Sequence, residues 1–336
     1  MKLPGNIRKI AIFRALQLGD MLCAIPAIRA LRQAFPAAEI TLLGLPWAKW
    51  LTERFDNYFD RFIHFPGFPG LPEQIFDAAK FADFLPVIQR EEFDLVLQMQ
   101  GNGSVVNPMV ELFGAKYTAG FCIQGHYAPE NGLFMPYPDY GPEIDRHLAL
   151  MEFLGIPSQG NDLEFPLNAI DLQELSYLRL DIEPKRYVCI HPGSRGAWRQ
   201  WPTEHFAALA DFCHEQGYKV VITGTKDEAL ITSEVIRQMG VEAIDTTGKT
   251  SVGAVAALIS DAALLISNCT GVSHIAAALK TPSIVISMDG EPYRWAPINK
   301  HLHRTINWLQ SPDFDLVFRE TAGLVNQLDA GVLLAH

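Results

Sequence analysis

Short runs of apolar residues alternate along this chain with longer stretches in which apolar positions recur every three or four residues. Residues 7–13 form a compact run rich in Ile, Ala and Phe, the pattern of a buried strand. In residues 21–35, Leu22, Ile25, Ile28 and Leu31 share one helical face, and Pro36 ends the pattern. Residues 39–45 are apolar again. Strand, helix and strand in this succession predict a βαβ unit, hence parallel strands and a right-handed crossover. Further strands are expected at 93–98 and 117–121, and a helix at 146–155 closed by Gly155. Residues 59–72 and 125–142 are rich in Pro, Gly and aromatic side chains and read as long irregular loops, the kind that tend to carry function.

Residues 156–168 are polar, with Pro157, Gly160 and Pro166, and read as an interdomain linker. A second alternating pattern follows. Strands are expected at 187–191, 219–223, 242–245, 263–267 and 283–287. Helices are expected between them at 203–216, 227–239, 252–260 and 273–279. Two βα-alternating halves predict an α/β protein of two Rossmann-like domains facing a cleft.

The chain has 336 residues, 49% hydrophobic and 19% charged, enough for two packed cores. Its 27 basic and 38 acidic side chains leave a net charge of −11. That balance argues against a non-specific nucleic-acid binder, which needs basic charge to neutralise phosphates. The five cysteines, Cys23, Cys122, Cys189, Cys213 and Cys269, are scattered and form no CxxC pair, so reduced thiols are expected. The basic start, residues 1–9, is followed by an apolar run broken by Arg14 and Asp20, a poor signal peptide. No stretch has the length and hydropathy to span a bilayer. A soluble cytoplasmic protein is expected, with peripheral membrane contact left open.

In open α/β sheets, ligands bind beyond the carboxyl ends of strands, so the loops there matter most. Leu18-Gly19-Asp20 follows the first strand. Asp20 reads either as an N-cap of the next helix or as a general base. The run from His191-Pro192-Gly193-Ser194-Arg195 to Arg199-Gln200-Trp201-Pro202 combines a close-approach glycine, a hydroxyl and two guanidinium groups, and Arg suits phosphate because its planar fork donates paired bonds. Asn268-Cys269-Thr270-Gly271-Val272-Ser273-His274 opens a small-residue helix, whose free amides and partial positive charge suit a phosphate. Thr270 or Ser273 capping that helix is the plainer account, and the two are compatible. Lys226-Asp227-Glu228 follows another strand, where an acid either bonds ribose hydroxyls or favours a helix start.

Several classes lack their signatures. Gly248-Lys249-Thr250 resembles the end of a Walker A loop, but Ala243 stands where the first glycine is needed. No GxGxxG follows a strand, and neither HExxH nor GxSxG occurs.

Taken in order, the motifs resemble glycosyltransferase family nine, the bacterial lipopolysaccharide heptosyltransferases. The resemblance rests on residues 10–20 with 25–31, on His191-Pro192-Gly193-Ser194 with Arg199-Gln200-Trp201-Pro202, on residues 268–279, and on Pro297. It implies a GT-B fold. Residues 1–165 would be the acceptor-side Rossmann-like domain, 166–310 the nucleotide-sugar domain, and 311–336 a terminal helix crossing back to the N-terminal domain. The implied activity is inverting transfer of a sugar, heptose foremost, from a nucleoside-diphosphate donor, ADP-heptose foremost. The acceptor is the lipopolysaccharide core or a related glycan.

By position, the resemblance makes Asp20 the catalytic base and Arg199 and Ser194 the phosphate-contacting cation and hydroxyl. Thr270, Gly271 and His274 become the diphosphate-binding helix start, and the family's ribose-binding acid falls within residues 226–228. Gly19, His191, Gly193, Lys226, Glu228, Cys269 and Ser273 complete the candidate donor set. Neither metal nor cofactor is implied, since the donor is a substrate. Cys269 departs from the family, which often has Asp there in a DTG motif holding the donor sugar. A thiol is a weak acceptor for sugar hydroxyls, so a different sugar or nucleotide stays open. Two other readings also stay open: a GT-B enzyme using a UDP-sugar, and a degenerate member that binds without catalysis. The acceptor and the oligomeric state are not read from the sequence.

Overall fold

The structure is a computed structural model that describes residues 3–130 and 132–332. Outside these lie the first two residues of the basic N-terminal stretch, one residue of the expected 125–142 loop, and the last four residues of the 311–336 segment. The chain divides into two compact units, Met1–Asp162 and Leu163–His336.

In the first unit the order is β1 (Lys9–Phe13), α1 (Leu18–Ala34), β2 (Glu39–Gly44), α2 (Ala48–Arg54), β3 (Arg61–His64), α3 (Ala78–Arg90), β4 (Leu95–Gln98), α4 (Val106–Glu111), β5 (Tyr117–Cys122), β6 (Leu133–Pro136) and α5 (Glu143–Phe153). The strands form one parallel sheet in the order β3-β2-β1-β4-β5-β6. β1, β2 and β4 are covered on both faces, which explains why they read as continuous apolar runs. One core gathers phenylalanines: Phe13 meets Phe65 edge-on at 4.8 Å, and Phe84 meets Phe113 at 5.7 Å.

The second unit runs α6 (Ala169–Tyr177), β7 (Tyr187–His191), α7 (Thr203–Glu215), β8 (Lys219–Ile222), α8 (Ala229–Gln238), β9 (Ile244–Asp245), α9 (Val252–Asp261), β10 (Leu264–Asn268), α10 (Gly271–Ala278), β11 (Ser283–Ser287), α11 (Pro292–Trp295), β12 (His303–Asn307) and α12 (Phe314–Asp329). Its parallel sheet is ordered β12-β11-β10-β7-β8-β9. Read from the other end, this is the order of the first sheet. In each unit the order reverses between the first and fourth strands, the switch point where open α/β sheets bind ligands.

Two expectations change. β3 and β6 lie within segments read as loops. Asp20 is not an N-cap: Gln17 occupies that position and Asp20 sits inside the first turn of α1. Within the second unit, the terminal helix buries an apolar face. Val317, Leu324, Val325 and Leu328 of α12 join the second unit's core, and Phe314 stacks on the buried Trp201.

Candidate functional site

The second unit's site is built on its switch point. β7 ends at His191 and β10 at Asn268, and these two strands pair in parallel. Asn268 ties their loops together. Its Nδ2 donates to the Pro192 carbonyl at 2.7 Å and the Gly193 carbonyl at 3.3 Å. Its Oδ1 accepts from the Trp201 N–H at 3.0 Å. A buried amide with both ends engaged fixes the loop pair rigidly. Arg199, closing a 3-10 turn (Ala197–Arg199), donates from Nη2 to the Cys269 carbonyl at 3.3 Å and to Asp289 Oδ2. Arg195, the other guanidinium of this loop, is exposed.

The eight-residue helix α10 begins at Gly271 with Thr270 as its N-cap residue, in extended geometry. The Thr270 side chain does not cap: its Oγ1 is buried and has no protein partner. Ser273 Oγ instead donates to the Thr270 carbonyl at 2.7 Å. Ser194 Oγ is likewise buried without a protein partner. Buried hydroxyls are usually bonded, so these two, in loops tied together by Asn268, are candidate donors to a ligand's oxygens. The first amides of a helix lack intrahelical acceptors and carry partial positive charge, which suits phosphate at the same place. His274 is buried one turn in. Cys269 is buried, its Sγ lying 3.8 Å from the Trp295 carbonyl, and burial pushes the thiol up to about 12.

The β8 side is equally tight. His191 Nδ1 lies 3.0 Å from Thr223 Oγ1, and Nε2 lies 3.8 Å from Glu228 Oε2. Burial lowers the His191 pKa while the Glu228 carboxylate opposes that shift. Glu228 closes a capping box, its Oε2 accepting from Thr225 N at 2.7 Å and Thr225 Oγ1 at 2.9 Å. A Cβ at Gly193 would fall 2.1 Å from Glu228 Oε1, so glycine is what lets this carboxylate lie against the β7 loop. Lys226 opens the same 3-10 turn, and its stem packs on Gly248, where a Cβ would meet Lys226 Cγ at 2.9 Å. The Walker-like glycine therefore seats a lysine stem.

In the first unit, Gly19 and Asp20 lie half-buried in the opening turn of α1, just past the end of β1. Arg14 holds this turn. It is fully buried and donates to the Asp20 carbonyl from Nε at 3.1 Å and Nη2 at 2.7 Å. It also donates to the Met99 carbonyl from Nη1 and to Glu143 Oε1 from Nη2 at 3.3 Å. Glu143 Oε1 lies 3.2 Å from His147 Nε2, and Oε2 lies 3.9 Å from Arg146 Nη1. Gln100 Oε1 accepts from the Ala15 N–H at 2.6 Å, linking the ends of β1 and β4.

The structure thus joins Ser194, Arg199, Cys269, Thr270, Gly271 and Ser273 through one pair of loops, and His191, Gly193 and Glu228 beside them. Gly19 and Asp20 belong to the first unit. Sequence reading passed over Asn268 as a tie, Asp289 as the partner of Arg199, and Arg14 as the anchor of Asp20. An acid just past an apolar strand was a usable signal for Asp289. Arg14 carried only the oddity of a cation within an apolar run. Among the described residues, no group of three or more His, Cys, Asp or Glu side chains is arranged to hold a metal ion.

Two Rossmann-type units in one chain make this a GT-B type fold. The profile of "Glycosyltransferase family 9 (heptosyltransferase)" matches residues 84–320, and the chain belongs to that family. Among its relatives is the lipooligosaccharide heptosyltransferase 2 of Haemophilus ducreyi, 23% identical over 87% of this chain and 86% of the relative. A glycosyl transferase family 9 structure from Veillonella parvula superposes with a TM-score of 0.80 at 19% identity, covering 97% of this chain and 99% of the other. E. coli ADP-heptose lps heptosyltransferase II does so with a TM-score of 0.74 at 19% identity, covering 96% and 100%.

Proposed function

We propose that the protein is an inverting heptosyltransferase that moves heptose from ADP-heptose to a lipopolysaccharide-core sugar. The observation that carries this reading is the loop pair of the second unit. Two unpartnered buried hydroxyls, Ser194 and Thr270, accompany a helix start and a guanidinium. That set matches a diphosphate, with hydroxyls, amides and cation all donating to phosphate oxygens. The heptose and the ADP are supported by family membership and by the relatives' names.

In this mechanism Asp20 accepts the proton of an acceptor hydroxyl as that oxygen forms its bond to the anomeric carbon. The bond from that carbon to the diphosphate oxygen breaks, with inversion, and negative charge collects on departing ADP. The α10 amides, the hydroxyls of Ser194 and Thr270, His274 and Arg199 stabilise that charge as a preorganised set of donors. Glu228 and Lys226, past β8, are the residues proposed to contact the ribose. The reaction belongs on the cytoplasmic face of the inner membrane, with the protein a peripheral visitor. Among the described residues no helix is long and apolar enough to cross a membrane.

A donor screen tests this reading. Purified protein is offered ADP-heptose, UDP- and GDP-sugars with heptose-deficient lipopolysaccharide core, and products are weighed by mass spectrometry. The expected result is a mass gain of one heptose from ADP-heptose alone. Transfer from another nucleotide sugar, or none at all with tight ADP binding, would overturn it.

A further inference from the structure

Asp289 lies just beyond β11, outside every sequence motif singled out above. Its side chain is 8% exposed. Oδ1 accepts from Ser287 Oγ at 2.7 Å and from the Glu291 N–H at 3.1 Å, so its own loop sets its orientation. Oδ2 accepts from Arg199 Nη2, the same nitrogen that reaches the Cys269 carbonyl. The guanidinium is therefore anchored at one end by an acid just past β11 and a carbonyl following β10. A guanidinium carries five donors in a rigid fork, so one anchored end still leaves donors for an incoming anion.

Position 269 contributes only that carbonyl, because its side chain is a buried thiol. β10 and β11 are paired neighbours, with Asn268 opposite Ile286, and the Cys269 N–H donates to the Ile286 carbonyl at 2.8 Å. An acid two residues past the end of β11 thus reaches the same guanidinium as the backbone of residue 269.

We propose that Asp289 is a positioning residue for Arg199. It holds the guanidinium at the loop pair that takes the donor diphosphate, and it supplies from the end of β11 the negative charge that an acid at position 269 would otherwise bring. This rests on the donor-site reading above. It also predicts that an acid at 269 is harmful while Asp289 is present, because two carboxylates would then crowd one guanidinium.

The test is a double-mutant cycle read as kcat and KM for ADP-heptose and as the calorimetric Kd for ADP. Arg199→Ala should lower kcat/KM about 10²-fold, the scale for removing one preorganised donor. Asp289→Asn should lower it about tenfold in the native protein and less than about twofold in the Arg199→Ala background, since a residue acting through another has nothing left to position. Cys269→Asp alone should weaken ADP binding, and Cys269→Asp combined with Asp289→Asn should recover most of the loss. Equal losses in both backgrounds would overturn the positioning role. A combined variant no better than Asp289→Asn would overturn the relocated charge. Asp289→Ser carries the same cycle if Asp289→Asn does not fold. If the native protein binds ADP but transfers no heptose, the function is wrong while the cycle is still read from ADP binding. No ADP binding at all overturns both.

Discussion

Arg14 Nη2 lies 3.3 Å from Glu143 Oε1, and both side chains are almost wholly withdrawn from water. The pair joins the end of β1 to the start of α5, and Arg14 also grips the main chain of Asp20. A buried pair of this kind is costly to break from one side, because Glu143 then loses the counter-charge of Arg14 and keeps Arg146 and His147. Arg14→Met is expected to lower unfolding free energy by about 3–5 kcal/mol in urea titration. Adding Glu143→Leu should restore part of that loss, since the buried carboxylate that lost a counter-charge is then removed as well. Strictly additive losses would show that the two charges do not depend on each other.

Because Arg14 holds the Asp20 carbonyl, removing the carboxylate leaves that anchoring intact. Asp20→Ala is expected to fold normally and to lose about 10²-fold or more in kcat, the usual scale for a positioned base. The check is heptose transfer measured beside a thermal melt. Full turnover in the variant removes Asp20 from the chemistry.

Gly193 leaves room for the Glu228 carboxylate, with which a Cβ would collide at 2.1 Å. In Gly193→Ala the carboxylate must swing aside and give up its bonds to Thr225. The loss of stability should be modest, about 1 kcal/mol, the ordinary worth of such bonds. ADP affinity should fall more noticeably, because the displaced acid disturbs the loop beside Ser194. Calorimetry on the variant decides; unchanged affinity would place this contact outside the donor site.

His303 on β12 is buried, and burial, aided by neighbouring His274, depresses its pKa to about 4 from an ordinary 6.5. Between those values the unfolded chain takes up a proton that the folded one refuses, so stability rises with pH. The contribution is complete above about pH 6.5 and is lost as pH falls towards 4, amounting to about 3 kcal/mol by linkage. Replacing His303 by Gln, which can still bond Ser283, should flatten this part of the curve. Denaturation at pH 4.5 and 7 on both proteins measures it.

Cys269 is buried and its thiol is pushed up to about 12, chiefly by burial and further by Asp289. Since the thiolate is the reactive form, iodoacetamide at pH 8 should leave Cys269 unlabelled in the native protein and label it after unfolding. Peptide mapping reads the outcome. Rapid native labelling would mean that the loop opens readily.

The strands that the sequence revealed are mostly those packed inside the sheets. β1, β4, β7 and β10 are mostly apolar and almost wholly buried, as strands covered on both faces are. β3, β6 and β12 escaped notice, and each lies at a sheet edge. Their residues are largely half-exposed, so their sequences need not be apolar, and pairing with a neighbour's backbone makes them strands. α12 was anticipated as a terminal helix; the core its face joins comes from the structure. An apolar face marks a helix without naming the surface it covers.

The donor-side candidates could be found because they cluster at strand ends in short motifs, where local backbone geometry and residue type suffice to suggest phosphate. The chain by itself determined the alternation of strands and helices, the doubling of the Rossmann pattern and the loops that carry polar chemistry. The tertiary structure decided which groups meet: Arg199 with Asp289 across 90 residues, and Arg14 with Glu143 across 129. The reason is physical. Periodicity records whether a position faces water or core, whereas a hydrogen bond between distant residues depends on where the sheet order sets each strand's end.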